Sequence, residues 1–429
     1  MKIILAILIF SIVVILHELG HFLLAKANHI IVTEFSLGMG PTLLSRVSHG
    51  TKYSLKLLPF GGSCQMLGEE GGEVFEGTFA SKSVWARMSV VLAGPVFNFI
   101  LAFFVAIIVI SIAGSDPSYV TSVEKGSPAE AAGLQEGDVV TTYEGSGISF
   151  GRELYTKTSL DGIPSDTISL TVSRNGEKQK IDYVPVSEDR YMLGYSYYPE
   201  TEGKAEIVSL SAGYPMAKAG LQVGDVILEV NGTVINTNQE LATYFTDHPM
   251  GTEEINLTYQ HGSKIKEATV TPKLVKYATL GFSYNMVREK QSALGILKYS
   301  VLEIKYWIKT TLKSLSMLIT GKFSVNDLSG PVGVVEQIGK TYDEAKSDGA
   351  LYVWLNMLNF MILLSANLGV MNLIPFPALD GGRFVFLIVE AIRGKAIKQE
   401  IEGMVNFAGL MLLMALMVFV MFNDIRKIF

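Results

Sequence analysis

The sequence predicts a membrane protein: a core of four transmembrane helices, with soluble α+β material inserted between the second and the third. Hydrophobic residues make up 49% of the 429 positions against 18% charged, and the mean hydropathy is +0.34, too apolar for a disordered or purely cytosolic chain. The apolar residues gather into four runs, approximately 3–24, 88–112, 352–374 and 405–422, each near the roughly 20 residues of helix that cross a hydrocarbon core. Between the second and third runs the chain turns polar, with Asn-Gly and Gly-Asp turns separating short β-rich stretches.

The first run exceeds a typical signal-peptide core and is read as a span. It closes on His17-Glu18-Leu19-Gly20-His21. Histidines four apart project from one helix face a turn apart, close enough to share one metal ion, and Glu18 beside them is placed to act as a general base on water. Such a pattern recurs by chance in soluble helices. Inside an apolar span, however, each charged residue costs roughly 2.5–3.5 kcal/mol to insert, and ligands that satisfy an ion explain that cost. A catalytic zinc takes three protein ligands and keeps one position open. Leu24 and Ala27 occupy the places where a metzincin carries glycine and a third histidine, so the third ligand comes from elsewhere. The single cysteine, Cys64, excludes a cysteine cluster and an internal disulfide. Asp380, in Pro377-Ala378-Leu379-Asp380-Gly381-Gly382 after the third run, is the candidate; an aspartate there equally suits the cap of a helix beginning near Phe384.

The second run carries Gly94-Pro95-Val96-Phe97-Asn98, and beyond it the chain repeats itself. Val120-Thr121-Ser122-Val123 answers to Ile207-Val208-Ser209-Leu210, Ala132-Gly133-Leu134 to Ala219-Gly220-Leu221, and Glu153-Leu154 to Glu240-Leu241, at a constant offset of 87 residues. Two tandem copies of one small domain follow. Each reads strand, short helix, Gly-Asp turn, strand, second helix. This order around Ala-Gly-Leu-x-x-Gly-Asp resembles the circularly permuted PDZ domains of bacterial membrane and envelope proteases, which implies a groove that accepts peptide as an added strand. Taken alone, Gly137-Asp138 and Gly224-Asp225 read as turn residues.

From 294 to 319, Leu297, Val301, Ile304, Ile308, Leu312 and Leu315 recur by threes and fours, with Lys298, Lys305, Lys309 and Lys313 on another face. A basic amphipathic helix of this kind lies on a membrane surface or packs on the protein body. The third and fourth runs complete the bundle.

Basic residues set the orientation. Lys26, Arg46, Lys52, Lys56, Lys82 and Arg87 lie between spans one and two, and Arg383, Arg393, Lys395 and Lys398 between three and four; both loops therefore face the cytoplasm and the tandem domains lie outside. Arg426 and Lys427 argue mildly the other way. No basic tract suggests nucleic acid as a partner.

With Leu57-Leu58-Pro59-Phe60-Gly61-Gly62, Ser329-Gly330-Pro331-Val332-Gly333 and Asn372-Leu373-Ile374-Pro375-Phe376 in their places, the whole chain resembles the RseP-type site-2 proteases of bacteria, intramembrane zinc metalloproteases with PDZ-like domains. The resemblance implies one Zn2+ per chain held by His17, His21 and Asp380, with Glu18 as base and with Asn372 and Asn98 positioning substrate. It also implies a re-entrant hairpin after Leu58 that pairs with an unwound substrate helix. Expected partners are the lipid bilayer of the bacterial inner membrane and pre-trimmed single-span proteins or peptides, such as anti-sigma factors or signal-peptide remnants. Arg383 stands where many members have histidine, and Ser63-Cys64-Gln65 replaces a more usual triplet; both bear on substrate preference. The expected division is 1–112, 113–200, 201–285, 286–349 and 350–429. His29, His49, His248 and His261 read as loop or surface residues, and Cys64 as an incidental thiol. The competing reading is a non-catalytic membrane scaffold presenting the tandem domains.

Overall fold

The computed structural model describes residues 2–69, 73–197, 203–211, 213–321 and 328–428. In chain order the elements are α1 (Lys2–Ala27), β1 (Val32–Ser48), β2 (Thr51–Met66), α2 (Val84–Ala113), β3 (Val120–Val123), α3 (Pro128–Ala131), β4 (Val139–Tyr143), β5 (Ser146–Gly147), α4 (Gly151–Asp161), β6 (Ile168–Arg174), β7 (Glu177–Tyr183), β8 (Ser187–Met192), β9 (Tyr195–Ser196) and β10 (Ser209–Leu210). They continue with α5 (Pro215–Lys218), β11 (Val226–Val230), β12 (Thr233–Val234), α6 (Asn238–Asp247), β13 (Ile255–His261), β14 (Lys264–Val270), β15 (Lys273–Ala278), β16 (Phe282–Tyr284), α7 (Ala293–Ile319), α8 (Pro331–Lys346), α9 (Ala350–Leu373), α10 (Asp380–Arg393) and α11 (Gln399–Ile428). The chain divides into two units, one of residues 1–115 and 288–428, the other of residues 116–287.

Among the described residues, α1, α2, α9 and most of α11 are long and apolar enough to cross a membrane. α2 is the hub, packing against α1, α7, α9 and α10. Its first turn is capped by Ser83, whose hydroxyl accepts from the Ala86 N–H at 3.2 Å. α1 turns inward a stripe of Ala6, Ile9, Val13, His17, Gly20 and His21, spaced by threes and fours as a single buried helix face requires. α7 packs by the face that holds Ser300, Glu303, Tyr306 and Met317 and turns Leu294, Leu297, Val301, Leu312 and Ile319 outward. It is thus a body-packed helix: Ile304 of its apolar row lies against the core of the membrane helices, while Leu297, Val301 and Leu312 stay exposed. Asp424 of α11 reaches back to the start of α8, where its buried carboxylate accepts from the Gly330 and Gly333 N–H groups at 3.2 and 2.8 Å. A Cβ at Gly333 would fall 3.0 Å from that carboxylate, which accounts for the glycines flanking Pro331.

β1 and β2 form a folded hairpin rather than a simple ribbon. Residues 34–37 pair on one side with 62–65 and on the other with 52–55, while 44–48 pair with 51–55. The segment ending at Met66 is therefore an outer strand with one strand neighbour.

In the second unit the repeat extends well past the residues that first betray it. Helices, strands and turns recur at the 87-residue offset through Leu193-Gly194-Tyr195-Ser196-Tyr197 and Leu280-Gly281-Phe282-Ser283-Tyr284. Each copy has a four-stranded sheet, β5-β4-β6-β7 or β12-β11-β13-β14. The Gly-Asp aspartates do more than turn the chain. Asp138 is buried and paired with Arg174 at 2.7 Å, and Asp225 with His261, the residue at the matching position, also at 2.7 Å. His261, expected as an ordinary surface residue, thus anchors a buried carboxylate.

The strand pairing departs from a division into consecutive domains. β9 pairs with β10 of the second copy, whereas β16 pairs with β3 of the first. Leu193 sits in the second copy's core, and Leu280 and Phe282 in the first's. The second copy is nested inside the first. The expected limit at 285 gives way to this, and the limit at 200 lies outside the described residues. Sequence offset alone could not settle the matter, because both strands carry the same pattern and either could complete either copy.

Phe282→Ala, which empties a site 6% exposed in the first copy, is expected to destabilise that copy by about 3–5 kcal/mol. Hydrogen exchange checks it: amides of β4 and β6 should lose protection while those of β11 and β13 keep theirs.

Candidate metal centre and active site

His17 and His21 come from the inward stripe of α1, and Asp380 opens α10. His17 Nε2 and His21 Nε2 stand 3.2 Å apart, and Asp380 Oδ2 lies 3.2 Å from the first and 3.4 Å from the second. These three form the one His/Cys/Asp/Glu cluster of metal-binding spacing among the described residues. Tetrahedral zinc with ligand bonds of about 2.0–2.1 Å spaces its donors roughly 3.3–3.4 Å apart, so the three atoms sit on the edges such an ion needs. Asp380 Oδ2 is buried without a hydrogen-bond partner, and the donor set of two imidazoles and a carboxylate suits zinc. Asp380 is the first residue of its helix and Leu379 the cap position, where no side chain makes a capping bond; the capping alternative is not realised.

Neighbouring groups fix how the rings present themselves. His21 Nδ1 meets the Val90 carbonyl of α2 at 2.8 Å, so the proton sits on Nδ1 and the Nε2 lone pair is free. The amide of Asn98, fully buried, lies 3.1 Å from His17 Nδ1. The contact is made by Asn98 Nδ2, while Oδ1 is buried without a partner; turning the amide over places the oxygen there, the acceptor that a His17 bound to metal through Nε2 and protonated on Nδ1 needs. Ser365 of α9 holds the Asn98 residue in place by donating to its backbone carbonyl at 2.7 Å. Asn372, near the end of α9, stands 3.5 Å from His17 Nε2. The structure thus gathers all six expected site residues.

Glycine makes the packing possible. A Cβ at Gly94 would lie 2.3 Å from His21 Nε2 and 2.7 Å from His17 Nε2, and one at Gly20 would lie 2.4 Å from the Ala93 carbonyl oxygen. Only glycine lets α1 and α2 approach with two imidazoles between them. Gly381 and Gly382 play the same part behind Asp380: Cβ atoms there would strike the Ile374 and Phe376 carbonyl oxygens at 2.2 and 2.3 Å. Ala378, two residues before Asp380, holds a left-handed backbone with φ of 72°, strain of a kind that concentrates at functional sites.

Glu18 faces the outer strand of the hairpin. Its carboxylate faces the backbone of Cys64, and a Cβ at Gly62 would lie 3.3 Å from its Cγ. Cys64, expected as an incidental thiol, contributes its main chain to the site, and Gly94, quoted only as part of a motif, shapes the metal pocket. A glycine inside an apolar span is the signal that could have marked Gly94 as a place of close approach, whereas no sequence signal marks the Cys64 backbone.

The comparisons decide the family. The model of peptidase family M50 matches residues 5–416. The chain belongs to peptidase family M50. It is 32% identical over 445 aligned positions to the zinc metalloprotease RasP of Geobacillus kaustophilus, spanning 99% of this chain and 97% of that protein. Identity is 30% both to the regulator of sigma-W protease RasP of Bacillus subtilis, across 99% of this chain and 98% of that protein, and to the regulator of sigma E protease of Haemophilus influenzae, across 97% of each. This M50 peptidase is accordingly a membrane zinc metalloprotease, and Zn2+ is its cofactor.

Gly94→Ala is expected to abolish zinc retention while leaving the helical content unchanged, measured by metal analysis and circular dichroism. Asn98→Ala should weaken zinc affinity by about 10–100-fold, read by competition with a chelator.

Proposed function

We propose that this M50 peptidase is a site-2 protease that hydrolyses peptide bonds within or beside the transmembrane segment of single-span substrates. The observation that carries the proposal is the position of His17, Glu18 and His21: the two histidines lie on the inward face of a membrane-capable helix, and Glu18 beside them lies against Gly62 in the outer strand of a hairpin.

His17, His21 and Asp380 would hold one Zn2+. When bound, zinc supplies Lewis acidity that polarises the scissile carbonyl and acidifies the attacking water. Glu18 takes the water proton as the oxygen adds to the carbonyl carbon, then delivers it to the amide nitrogen as the C–N bond breaks. A substrate helix must unwind before its carbonyl can reach the donors. The 62–66 strand supports this step, because its edge faces Glu18 and can pair with an extended chain. Asn372, beside His17, would bind that extended chain, and Asn98 would hold the His17 ring.

The nested copies would be PDZ-like domains that dock or screen substrates outside the membrane, with the active site toward the cytoplasmic side of the bacterial inner membrane, as the basic loops favour. Membrane-bound anti-sigma factors already shortened by another protease, or signal-peptide remnants, fit this site; relatives named as regulators of sigma-W and sigma E support that class.

A tagged single-span substrate incubated with purified protein in liposomes tests the reading. Wild type should cut within the span, as mapped by mass spectrometry. Glu18→Gln should retain one zinc per chain and lose about 10²–10⁴-fold in rate. Cleavage confined to the extramembrane part of the substrate overturns the intramembrane assignment.

A further inference from the structure

Arg383 stands one turn along α10 from Asp380, and its guanidinium pairs with Glu69, just beyond the end of β2. The other carboxylate oxygen of Glu69 accepts from the Met66 N–H at 3.4 Å, so this one side chain ties the end of the outer strand to the helix that begins with Asp380. α10 is itself fixed to α2 by the forked pairing of Arg87 with Glu390, side chains only 12% and 18% exposed. Glu402 of α11 acts electrostatically on both arginines. Charge is therefore concentrated where the hairpin meets α10, beside the donors.

We propose that Arg383 is a positioning residue, which through Glu69 holds the 62–66 strand in register with Glu18 so that a substrate chain laid on that strand presents its carbonyl to the donors. This rests on the 62–66 edge being the substrate-binding strand, as argued above. With the ion pair closed, strand and donor helix are one rigid piece, and the substrate meets a preorganised edge. With it broken, the strand keeps its backbone bonds to residues 32–37 and Leu67 those to Ile31 and Phe79, but its tie to α10 is lost and its register against the donors can shift, so substrate binding weakens while the chemistry at the donors is unchanged.

Cys64 makes the strand observable. It is the only cysteine in the chain, and it lies buried in the strand among Ala25, Ile30, Val32 and Val90, so a maleimide reaches it only when the strand leaves its packing. Glu69→Gln and Arg383→Gln should each raise the Cys64 labelling rate at least tenfold and raise KM for the single-span substrate about tenfold, with kcat within twofold and zinc content unchanged. The double variant should be no worse than either single one, because both act through one contact, and Arg383→Lys should stay near wild type. Labelling at the wild-type rate, additive effects in the double variant, or loss of zinc would each overturn the proposal. The labelling is read without substrate and with zinc bound, so its outcome is independent of whether wild type cuts within the span.

Discussion

Lipid offers no partner to an imidazole or a carboxylate, so any such group placed among membrane helices must find its partners within the protein. Here three donor atoms 3.2–3.4 Å apart are brought together from two elements more than 350 residues apart in sequence. Much of the first unit serves to hold them there. α2 supplies a carbonyl to one ring and a side-chain amide to the other, α9 braces the backbone of the residue that bears that amide, and paired glycines on both sides remove the Cβ atoms that would otherwise keep the backbones apart.

The hairpin sets a second constraint. Extended backbone packed against a helix long and apolar enough to cross a membrane must have its hydrogen bonds satisfied. The folded β1–β2 sheet meets that need. Residues 34–37 are paired on both sides, while among the described residues the 62–66 strand is paired on one side only and lies against Glu18 at Gly62.

The spans, the His-Glu-x-x-His face and the repeat were legible in the sequence because each is periodic: helix-length apolar runs, a four-residue spacing and a constant offset. Asp380 was legible only as the missing third donor, and Asn98 and Asn372 only through family resemblance, because nothing local connects them to residue 17. What escaped was what depends on tertiary approach. Gly94 shows its role only once α1 lies against it, and the approach of Cys64 to Glu18 is made by backbone, which side-chain identity does not encode. Asp225 and His261 could have been matched with Asp138 and Arg174 by the offset, but a histidine in place of an arginine hid the match. The crossing of β9 and β16 was invisible for a different reason: the two strands are near copies, so their ownership is settled by connectivity and not by composition.

Those near-identical strands make the nested unit unusually simple to shorten. Since β9 and β16 can each complete a copy, an in-frame loss of one 87-residue period that begins anywhere from β3 to the end of β9 would leave a chain whose remaining strand closes the remaining copy. A single-domain descendant is thus one deletion away, with no new terminus to heal and no orphaned half-domain to discard. The architecture keeps its gene duplication reversible.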